Sequence, residues 1–308
     1  MAGNLLQRLA DEVEDQPSIL QRFAQAKIPK APGSSIFVGA GDSYAAALLG
    51  FYASKGRCIA LDPYSLASVP EIAEGLHVFF ISASGMTSSN LLAAARVKRW
   101  AGETTALTAR SDSRLAKNVD SVVNLPTNYV PKTPGLLSFS LSALAVLKIV
   151  GWDRDCDFAG MLERAKEERT ALSLGKGTTY FLGNSLAYPA ALYAAAKTYE
   201  FFGAKAHAEQ LEEFSHLELF SLRKSDVVNT FSSFDRSGMA RRLAHALAKE
   251  GYGSRVVSEQ GASDIERFFH SVFVVQLWAL RRSRELGLER PRFLASGARL
   301  ALSDSMIY

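Results

Sequence analysis

The sequence has few cysteines and little excess charge, and each of these absences excludes a class of protein. Its 308 residues include two cysteines, too few for a disulfide framework or a zinc cluster. The 35 lysines and arginines nearly balance the 31 aspartates and glutamates, leaving a formal net charge of +4, so a basic nucleic-acid-binding module is not expected. We interpret Cys58 and Cys156 as free thiols in a reducing, cytoplasmic compartment.

Long apolar runs and low-complexity segments are also missing. The longest apolar runs, 136–150 and 268–280, are shorter than a membrane span and contain polar residues. Residues 1–30 lack the apolar core of a signal peptide. The 22 glycines, 10 prolines and 48% apolar residues are typical of a globular protein with a sizeable core. We therefore expect a cytoplasmic protein that does not associate with membranes.

Short buried strands alternate with helices along most of the chain. Helical spacing of apolar residues predicts two N-terminal helices divided by Pro17 and a charged connector helix over 153–172. Apolar runs predict strands at 35–39, 57–61, 78–82, 104–108, 121–125, 179–182, 227–231 and 254–258. Strands that alternate with helices indicate right-handed crossovers and a mainly parallel sheet.

The pattern repeats once, which predicts two related halves. Gly39-Ala-Gly-Asp-Ser-Tyr-Ala is similar to Gly183-Asn-Ser-Leu-Ala-Tyr-Pro-Ala. We expect one domain over 1–152, with the N-terminal helices, and another over 153–308, with a C-terminal tail. Each is expected to be α/β, with a doubly wound, flavodoxin-like parallel sheet in a three-layer α/β/α arrangement.

A glycine turn, Gly39-Ala-Gly41-Asp42-Ser43, ends the first strand and opens a helix. Backbone N–H groups and the helix dipole at such a junction favour an anion. The turn resembles the start of a dinucleotide-binding fold without its third glycine. The hypothesis of an NAD-dependent enzyme is based on this turn alone. An ordinary tight turn capped by Asp42 or Ser43 is the other interpretation.

A second candidate anion site is the serine-rich segment Ser82-Ala-Ser84-Gly85-Met-Thr87-Ser88, which follows an apolar strand and precedes a helix. Its four hydroxyl groups, a glycine and the helix N-terminus meet within seven residues. Such groups bind a phosphate dianion without a cationic side chain. We predict a phosphate-binding loop. The alternative is a serine-rich loop that only caps the helix.

These motifs resemble the SIS (sugar isomerase) domain. The family pattern Ser-x-Ser-Gly-x-Thr is matched at residues 82–87, and Ala106-Leu-Thr108 with Ser113-Arg-Leu-Ala-Lys-Asn-Val-Asp120 matches the strand and turn that follow it. The resemblance covers nearly the whole chain as two tandem halves. This tandem arrangement is similar to the isomerase domain of glucosamine-6-phosphate synthase and to SIS-type sugar-phosphate deaminases and deglycases. It implies a sugar phosphate held by Ser43, Ser82, Ser84, Gly85 and Thr87, with Gly41 and Asp42 as further substrate-binding residues.

The same resemblance supplies candidate catalytic residues in the second half. Lys197-Thr-Tyr-Glu200 matches the family's Lys-x-x-Glu, and His216 follows Glu200 by 16 positions. In SIS isomerases the matching Glu moves a proton between C1 and C2, and the matching His assists ring opening, as a carboxylate and an imidazole can near neutral pH. The resemblance thus implies catalytic roles for Glu200 and His216 and a substrate-binding role for Lys197. Lys197 and Glu200 also fit a simple helix-surface pair.

Several positions depart from the family pattern. Leu217-Glu218 stands in place of Gly-Pro after the histidine, and Ser296 replaces the synthase's imine-forming lysine. No glutaminase domain precedes residue 1, so we do not expect a complete glucosamine-6-phosphate synthase.

The resemblance therefore implies a homodimeric sugar-phosphate isomerase, deaminase or deglycase, and we expect it to use no metal or redox cofactor. The apolar segments 136–150 and 268–280 are candidate dimer interfaces. The alternative from another functional class is a sugar-phosphate sensor without turnover. Such a sensor would keep the phosphate loop but would not need Glu200 and His216.

Overall fold

The structure is a computed structural model that describes residues 5–31, 33–168, 171–235, 237–258 and 260–308. These residues form two compact units. One consists of Ile19–Asp155 with Gly297–Tyr308, and the other consists of Cys156–Ser296 with the described part of Met1–Ser18. We call them the β1–β5 unit and the β6–β9 unit after their strands.

The helices in the described residues are α1 (Leu5–Ala24), α2 (Asp42–Ala53), α3 (Pro63–Ser68), α4 (Ser88–Val97), α5 (Leu137–Ile149), α6 (Phe158–Glu167), α7 (Ala187–Phe202), α8 (Leu211–His216), α9 (Met239–Lys249), α10 (Asp264–Glu285) and α11 (Gly297–Ile307). The strands are β1 (Ser35–Val38), β2 (Ile59–Leu61), β3 (His77–Ile81), β4 (Glu103–Thr108), β5 (Ser121–Asn124), β6 (Thr179–Leu182), β7 (Ala206–Glu209), β8 (Val227–Phe231) and β9 (Gly253–Val257).

Each unit contains one parallel sheet, and the two sheets share a strand order. The first sheet runs β2-β1-β3-β4-β5 and the second β7-β6-β8-β9, so β6 to β9 repeat the order of β1 to β4. All pairings within the sheets are parallel, as expected for strands that read as continuous apolar runs covered on both faces. The prediction of two doubly wound, flavodoxin-like α/β halves is confirmed.

The prediction of two N-terminal helices was wrong, because α1 continues through Pro17. Proline removes one backbone hydrogen bond from a helix interior, which normally breaks or bends the helix. Here the buried side chains follow one helical stripe on both sides of Pro17, from Val13 through Gln16 to Leu20. Burial of this continuous stripe offsets the lost hydrogen bond.

The connector helix is shorter than predicted. Asp157 accepts a hydrogen bond from the N–H of Gly160 and so fixes the start of α6 at Phe158. The helix ends at Glu167, and residues 169–170 of the predicted connector lie outside the described residues.

The two apolar segments predicted as dimer interfaces are core helices instead. In α5, 12 of the 13 residues are buried in the single chain, and α10 buries the aromatic and aliphatic side chains of its central part. A side chain that is already covered offers no surface to a second copy. None of the helices formed by the described residues combines the length and apolar content that a membrane crossing needs.

Candidate functional site

The turn between β1 and α2 brings two stretches of backbone into close contact. A Cβ atom added to Gly39 would lie 2.5 Å from the carbonyl carbon of Ser43, so only glycine fits there. Gly41 has a φ of 59° and precedes α2 with no side chain bonded to the helix N–H groups. The predicted residues Gly41, Asp42 and Ser43 therefore lie where α2 presents its first backbone donors.

The loop between β3 and α4 is held in shape by its own hydroxyl groups. Ser82 Oγ accepts a hydrogen bond from the N–H of Gly85 at 3.1 Å and lies 3.4 Å from the hydroxyl oxygen of Thr87. Ser84 Oγ accepts one from the N–H of Met86 at 3.2 Å. Ser82 and Ser84 are buried. The loop is therefore organised by hydrogen bonds between its own residues.

Gly85 is the position at which this loop tolerates no side chain. Its φ is 60°, and an added Cβ would lie 2.1 Å from the hydroxyl oxygen of Ser113 and 3.1 Å from that of Thr108. The N–H of Leu115 donates to the carbonyl of Gly85 at 3.0 Å. The separate segments of the sequence motif thus pack into one structure, in which the turn after β4 supports the loop after β3.

Helix α4 begins with free N-terminal donors. Thr87 at the N-cap makes no side-chain hydrogen bond to the helix, and the first turn contains no acidic residue. The first N–H groups of a helix have no partner within it, and they carry the positive end of its dipole. This arrangement favours an anion in front of α4.

The two loops lie side by side at one edge of the sheet. β1 and β3 are adjacent parallel strands, with Val38 opposite Phe80, so both end at the same edge. The chain order reverses at this pair, and such a switch point forms the crevice in which doubly wound sheets bind ligands. The structure brings seven predicted residues to this crevice: Gly41, Asp42, Ser43, Ser82, Ser84, Gly85 and Thr87.

The equivalent loop of the β6–β9 unit already holds a carboxylate. Asp235, between β8 and α9, accepts hydrogen bonds from the N–H of Ala240 at 2.6 Å and of Ser237 at 3.2 Å. Burial acts to raise the pKa of Asp235, but the hydrogen bonds from Ser237 and the backbone outweigh burial and lower it. The N-terminus of α9 is thus occupied by an anion of the chain itself, whereas the N-cap side chain of α4 makes no hydrogen bond to its helix.

The two candidate residues on α7 form a pair. Lys197 is fully buried, and its Nζ lies 2.5 Å from Oε2 of Glu200 and 4.9 Å from the ring centre of Tyr193. A buried ammonium needs a charged or hydrogen-bonding partner, and this contact fixes the Glu200 carboxylate. The Glu200 side chain remains 30% exposed. The Glu200 carboxylate is therefore accessible to solvent on one side and forms an ion pair with the buried Lys197 on the other.

His216 ends α8 and is exposed. Its side chain is 70% accessible, and Nε2 lies 3.2 Å from the carboxylate of Glu212, one turn earlier. The next apolar residues, Leu217 and Phe220, are 61% and 85% exposed. The segment that carries His216 thus presents an imidazole beside an uncovered apolar surface.

A cluster that the sequence did not predict lies beside β7. The ligand atoms of His207, Glu209 and Glu218 all lie within 4.8 Å of one another, so these side chains could hold a divalent cation. His207 Nε2 is 3.0 Å from Glu218 and 3.7 Å from Glu209. His207 lies on β7. The His-Ala-Glu alternation, which puts both polar side chains on one face, was the available signal.

Comparison with known proteins gives matches in structure only. No family model and no curated protein sequence matches the chain. Glucosamine-6-phosphate deaminase from Thermotoga maritima is similar with a TM-score of 0.72 and 22% identity, over 91% of this chain and 95% of that one. Tagatose-6-phosphate ketose/aldose isomerase from Escherichia coli is similar with a TM-score of 0.67 and 14% identity, over 92% and 89%.

A third similar structure is the C-terminal domain of glucosamine-fructose-6-phosphate aminotransferase from Francisella tularensis. It has a TM-score of 0.65 and 16% identity, over 89% of this chain and 94% of that one. The three similarities span nearly the whole of both chains. At such low sequence identities they show a shared fold only. The chain therefore has the two-unit fold of the SIS-domain phosphosugar proteins, the family that its motifs resemble.

Proposed function

We propose that this chain binds a phosphorylated sugar and transfers a proton between C1 and C2 of that sugar. The reaction would be that of an aldose–ketose isomerase or of an amino-sugar-phosphate deaminase or deglycase. The observation that carries the proposal is the organised loop 82–87 in front of the open N-terminus of α4, at the switch point of the sheet. A glucosamine-6-phosphate deaminase and a tagatose-6-phosphate isomerase have the same fold.

The phosphate would be bound by hydroxyl and amide donors. Ser82, Ser84 and Thr87 supply hydroxyl groups, and Ser43 supplies another from the neighbouring turn. The backbone N–H groups of both helix N-termini add fixed positive dipoles. A site of this kind needs no lysine or arginine, which fits a chain with a small net charge.

Glu200 would act as the general base. In an open-chain sugar, the carbon beside the carbonyl group carries an acidic proton. A carboxylate can remove this proton and return it to the adjacent carbon, through an enediol or enolamine. The partly exposed Glu200 carboxylate, which Lys197 holds in place, suits this role. His216 would exchange a proton with the ring oxygen to open the sugar.

A second copy of the chain would cover the surface around His216. The exposed Leu217 and Phe220 flank this histidine and form an apolar patch at which a copy of the chain can dock. We therefore propose a homodimer that uses the segment after α8, and not the buried helices α5 and α10, as interface.

A binding protein without turnover is the second candidate. Two departures from the family's sequence pattern favour it: Leu217-Glu218 after the histidine, and Ser296 in place of a lysine. Such a sensor would need the phosphate loop alone. The two candidates differ in what happens after binding, so turnover distinguishes them.

The test combines binding with turnover. The full chain is incubated with glucosamine 6-phosphate, fructose 6-phosphate and a fructosamine phosphate, and ammonia, amine and isomer are measured. Glu200→Gln is expected to abolish turnover while leaving the affinity for the sugar phosphate within about twofold, because the base touches carbon and not phosphate. Ser84→Ala is expected to weaken binding.

Glu163→Gln is the matched control, because Glu163 forms an exposed i,i+3 pair with Lys166 at 2.8 Å in the same unit. This variant should keep full activity. Binding without turnover by the unmodified chain on all three compounds would leave the sensor as the function. Absence of binding would reject both candidates.

A further inference from the structure

His207, Glu209 and Glu218 form a cluster of metal-ligating side chains that the proposed function does not use. His207 and Glu209 lie on one face of β7, because side chains alternate along a strand. Glu218 comes from the short 3-10 helix Glu218–Ser221 that follows α8. All three residues belong to the β6–β9 unit, and their ligand atoms lie within 4.8 Å of one another.

Apolar packing holds the two segments of this cluster together. The buried ring of Phe214 on α8 contacts that of Tyr180 on β6, with 5.4 Å between the ring centres. Leu219, the neighbour of Glu218, packs against the same apolar cluster. Tyr180 also contacts the imidazole of His207, at 6.1 Å between the ring centres. The core of this unit therefore places Glu218 beside β7.

The distances within the cluster match those between the ligands of a small divalent ion. Nε2 of His207 lies 3.0 Å from Oε1 of Glu218 and 3.7 Å from Oε2 of Glu209. Ligand atoms that surround a tetrahedral Zn²⁺ at about 2.0–2.1 Å are separated from one another by about 3.3–3.4 Å. The two measured distances bracket this value, so small side-chain rotations would bring all three ligand atoms to one ion.

The carboxylate of Glu209 is already oriented toward the cluster. Its Oε1 accepts a hydrogen bond from the N–H of Gln210 at 2.8 Å, and its Oε2 is the oxygen that faces His207. Hydrogen bonds of this kind orient the carboxylates that ligate metals. The backbone thus holds one oxygen of Glu209 and leaves the other directed to the cluster.

The second oxygen of Glu218 is an independent sign of a ligand. Oε2 is enclosed by the protein, and no residue that the structure describes forms a hydrogen bond with it. A buried carboxylate oxygen without a partner is costly. A proton on Nε2 of His207 could satisfy Oε1 of Glu218, but it would leave Oε2 without a partner. A cation beside the carboxylate attracts both oxygens and so removes this cost.

We propose that His207, Glu209 and Glu218 bind a divalent transition-metal ion of the zinc class. An imidazole nitrogen with two carboxylates suits Zn²⁺, whereas Mg²⁺ prefers oxygen ligands alone. A neutral imidazole and two carboxylates carry two negative charges, which the ion cancels. The His207 side chain is 45% exposed, so the ion can enter from solvent.

The ion would join the end of β7 to the chain beyond α8. Glu209 and Glu218 flank residues 210–217, which include His216, so one ion ties together both ends of this segment. We expected no metal from the sequence, and the ion takes no part in the proposed proton transfer. Zinc binding is therefore independent of the proposed function.

The experiment is a calorimetric titration of the full chain with ZnCl₂ near neutral pH, after metal has been removed with a chelator and the chelator by dialysis. We expect one Zn²⁺ per chain. Glu218→Gln and His207→Ala should each weaken zinc binding by at least about tenfold, because each removes a ligand. MgCl₂ should not displace the bound zinc.

Glu212→Gln is the matched control. Glu212 forms an exposed pair with His216 at 3.2 Å in the same segment, but it has no third ligand of the cluster beside it. This variant should keep the zinc affinity of the unmodified chain. Thermal unfolding is the second measurement, because an ion that binds only the folded chain stabilises it. Zinc should raise the unfolding temperature of the unmodified chain and of Glu212→Gln, but not that of Glu218→Gln.

The outcomes of these measurements are distinct. Absence of zinc binding by the unmodified chain would overturn the proposal. Zinc binding that Glu218→Gln and His207→Ala leave unchanged would place the ion elsewhere and would also overturn it. Displacement of zinc by Mg²⁺ at equal concentration would reject the zinc class. Sugar-phosphate binding and turnover, measured separately, decide the proposed function and not this metal site.

Discussion

At the scale of single residues, the proposed phosphate loop, residues 82–87, depends on one backbone conformation that its surroundings enforce. Gly85 combines a left-handed φ with a contact that leaves no room for a methyl group, since Ser113 lies where a Cβ would be. The hydroxyl groups of Ser82 and Ser84 are ordered only because the chain turns at Gly85. Substitution of this glycine therefore disturbs the whole loop.

Gly85→Ala is expected to lower the free energy of unfolding by roughly 2–4 kcal/mol and to abolish phosphate binding, through backbone strain and steric overlap. Gly75→Ala separates the two causes, because Gly75 has a φ of 69° with no atom near its added Cβ. This control should cost about 1 kcal/mol. Urea unfolding and phosphate titration measure both variants. Equal losses would contradict the role assigned to Ser113.

His270 makes stability depend on pH. It is fully buried on α10, and burial together with the nearby Arg164 lowers its pKa to about 4 from the ordinary 6.5. The folded state therefore binds fewer protons than the unfolded state between these two values. The contribution of His270 to stability is fully present above pH 6.5 and is lost as the pH falls toward 4. The total loss is about 3 kcal/mol.

His270→Gln is expected to flatten this dependence. The slope of unfolding free energy against pH should differ most from that of the unmodified chain between pH 4 and 6.5. Glu168, 3.8 Å from the His270 ring, acts in the opposite sense because burial raises its pKa. The comparison must therefore be made between the two chains at each pH. His245→Gln, at an exposed histidine of α9, is the control. Unfolding curves with parallel pH profiles for His270→Gln and the unmodified chain would refute the prediction.

The residues of the site differ in how far the sequence reveals them. The glycines and serines of the loops were predicted because turn chemistry is local: a glycine with a positive φ and hydroxyl groups at a helix start leave a short pattern. Glu218 was not predicted as a site residue, because it joins His207 and Glu209 only when the segment after α8 folds back to β7, and no short pattern encodes that contact.

At the scale of elements, a strand is present at each of the eight predicted places. β7 was missed because Ala206-His-Ala-Glu is short and contains weak strand formers. Its register comes from pairing with β6, where Tyr180 lies opposite His207. The missed helix α3 carried a usable local signal, because Asp62 caps the N–H groups of Tyr64 and Ser65, and a proline follows it.

Pro17 in α1 leads to a prediction at this scale. Pro17→Ala restores a backbone donor and removes the clash of the ring with the preceding turn, so it is expected to raise the free energy of unfolding by about 2 kcal/mol. Gln21→Ala, at an exposed position of the same helix, should change it by less than about 0.5 kcal/mol. Thermal and urea unfolding provide the comparison. A loss of stability in Pro17→Ala would mean that α1 requires a bend at this residue.

At the scale of the whole molecule, each of the two units includes a terminal segment from the other end of the chain. The described part of Met1–Ser18 belongs to the β6–β9 unit, and Gly297–Tyr308 belongs to the β1–β5 unit. α11 follows the β6–β9 unit in sequence but belongs to the β1–β5 unit, where its end lies beside the phosphate loop: the hydroxyl of Ser88 donates to the carbonyl of Tyr308 at 2.9 Å. None of the residues of α11 is buried, so its sequence does not reveal which unit it joins.

The proposed homodimer makes a prediction about molecular mass. Phe220→Asp places a charge in the exposed apolar patch after α8 and is expected to convert a dimer into monomers, because burying an unpaired carboxylate is costly. Tyr64→Asp, at a position 59% exposed on α3, should leave the dimer intact. Sedimentation velocity reports both masses. An unchanged mass in Phe220→Asp would place any interface elsewhere.

Asp235 gives the repeated fold a built-in asymmetry. A carboxylate attached to the chain competes for the amides of α9 at a high effective concentration, which a free anion in solution does not match. The two halves share one strand order, but a capping carboxylate occupies the start of α9, whereas the N-cap side chain of α4 makes no hydrogen bond to its helix. Calorimetric titration with phosphate should therefore saturate at one anion per chain, and Asp235→Ala, which removes the capping oxygen atoms, should allow a second anion to bind in front of α9.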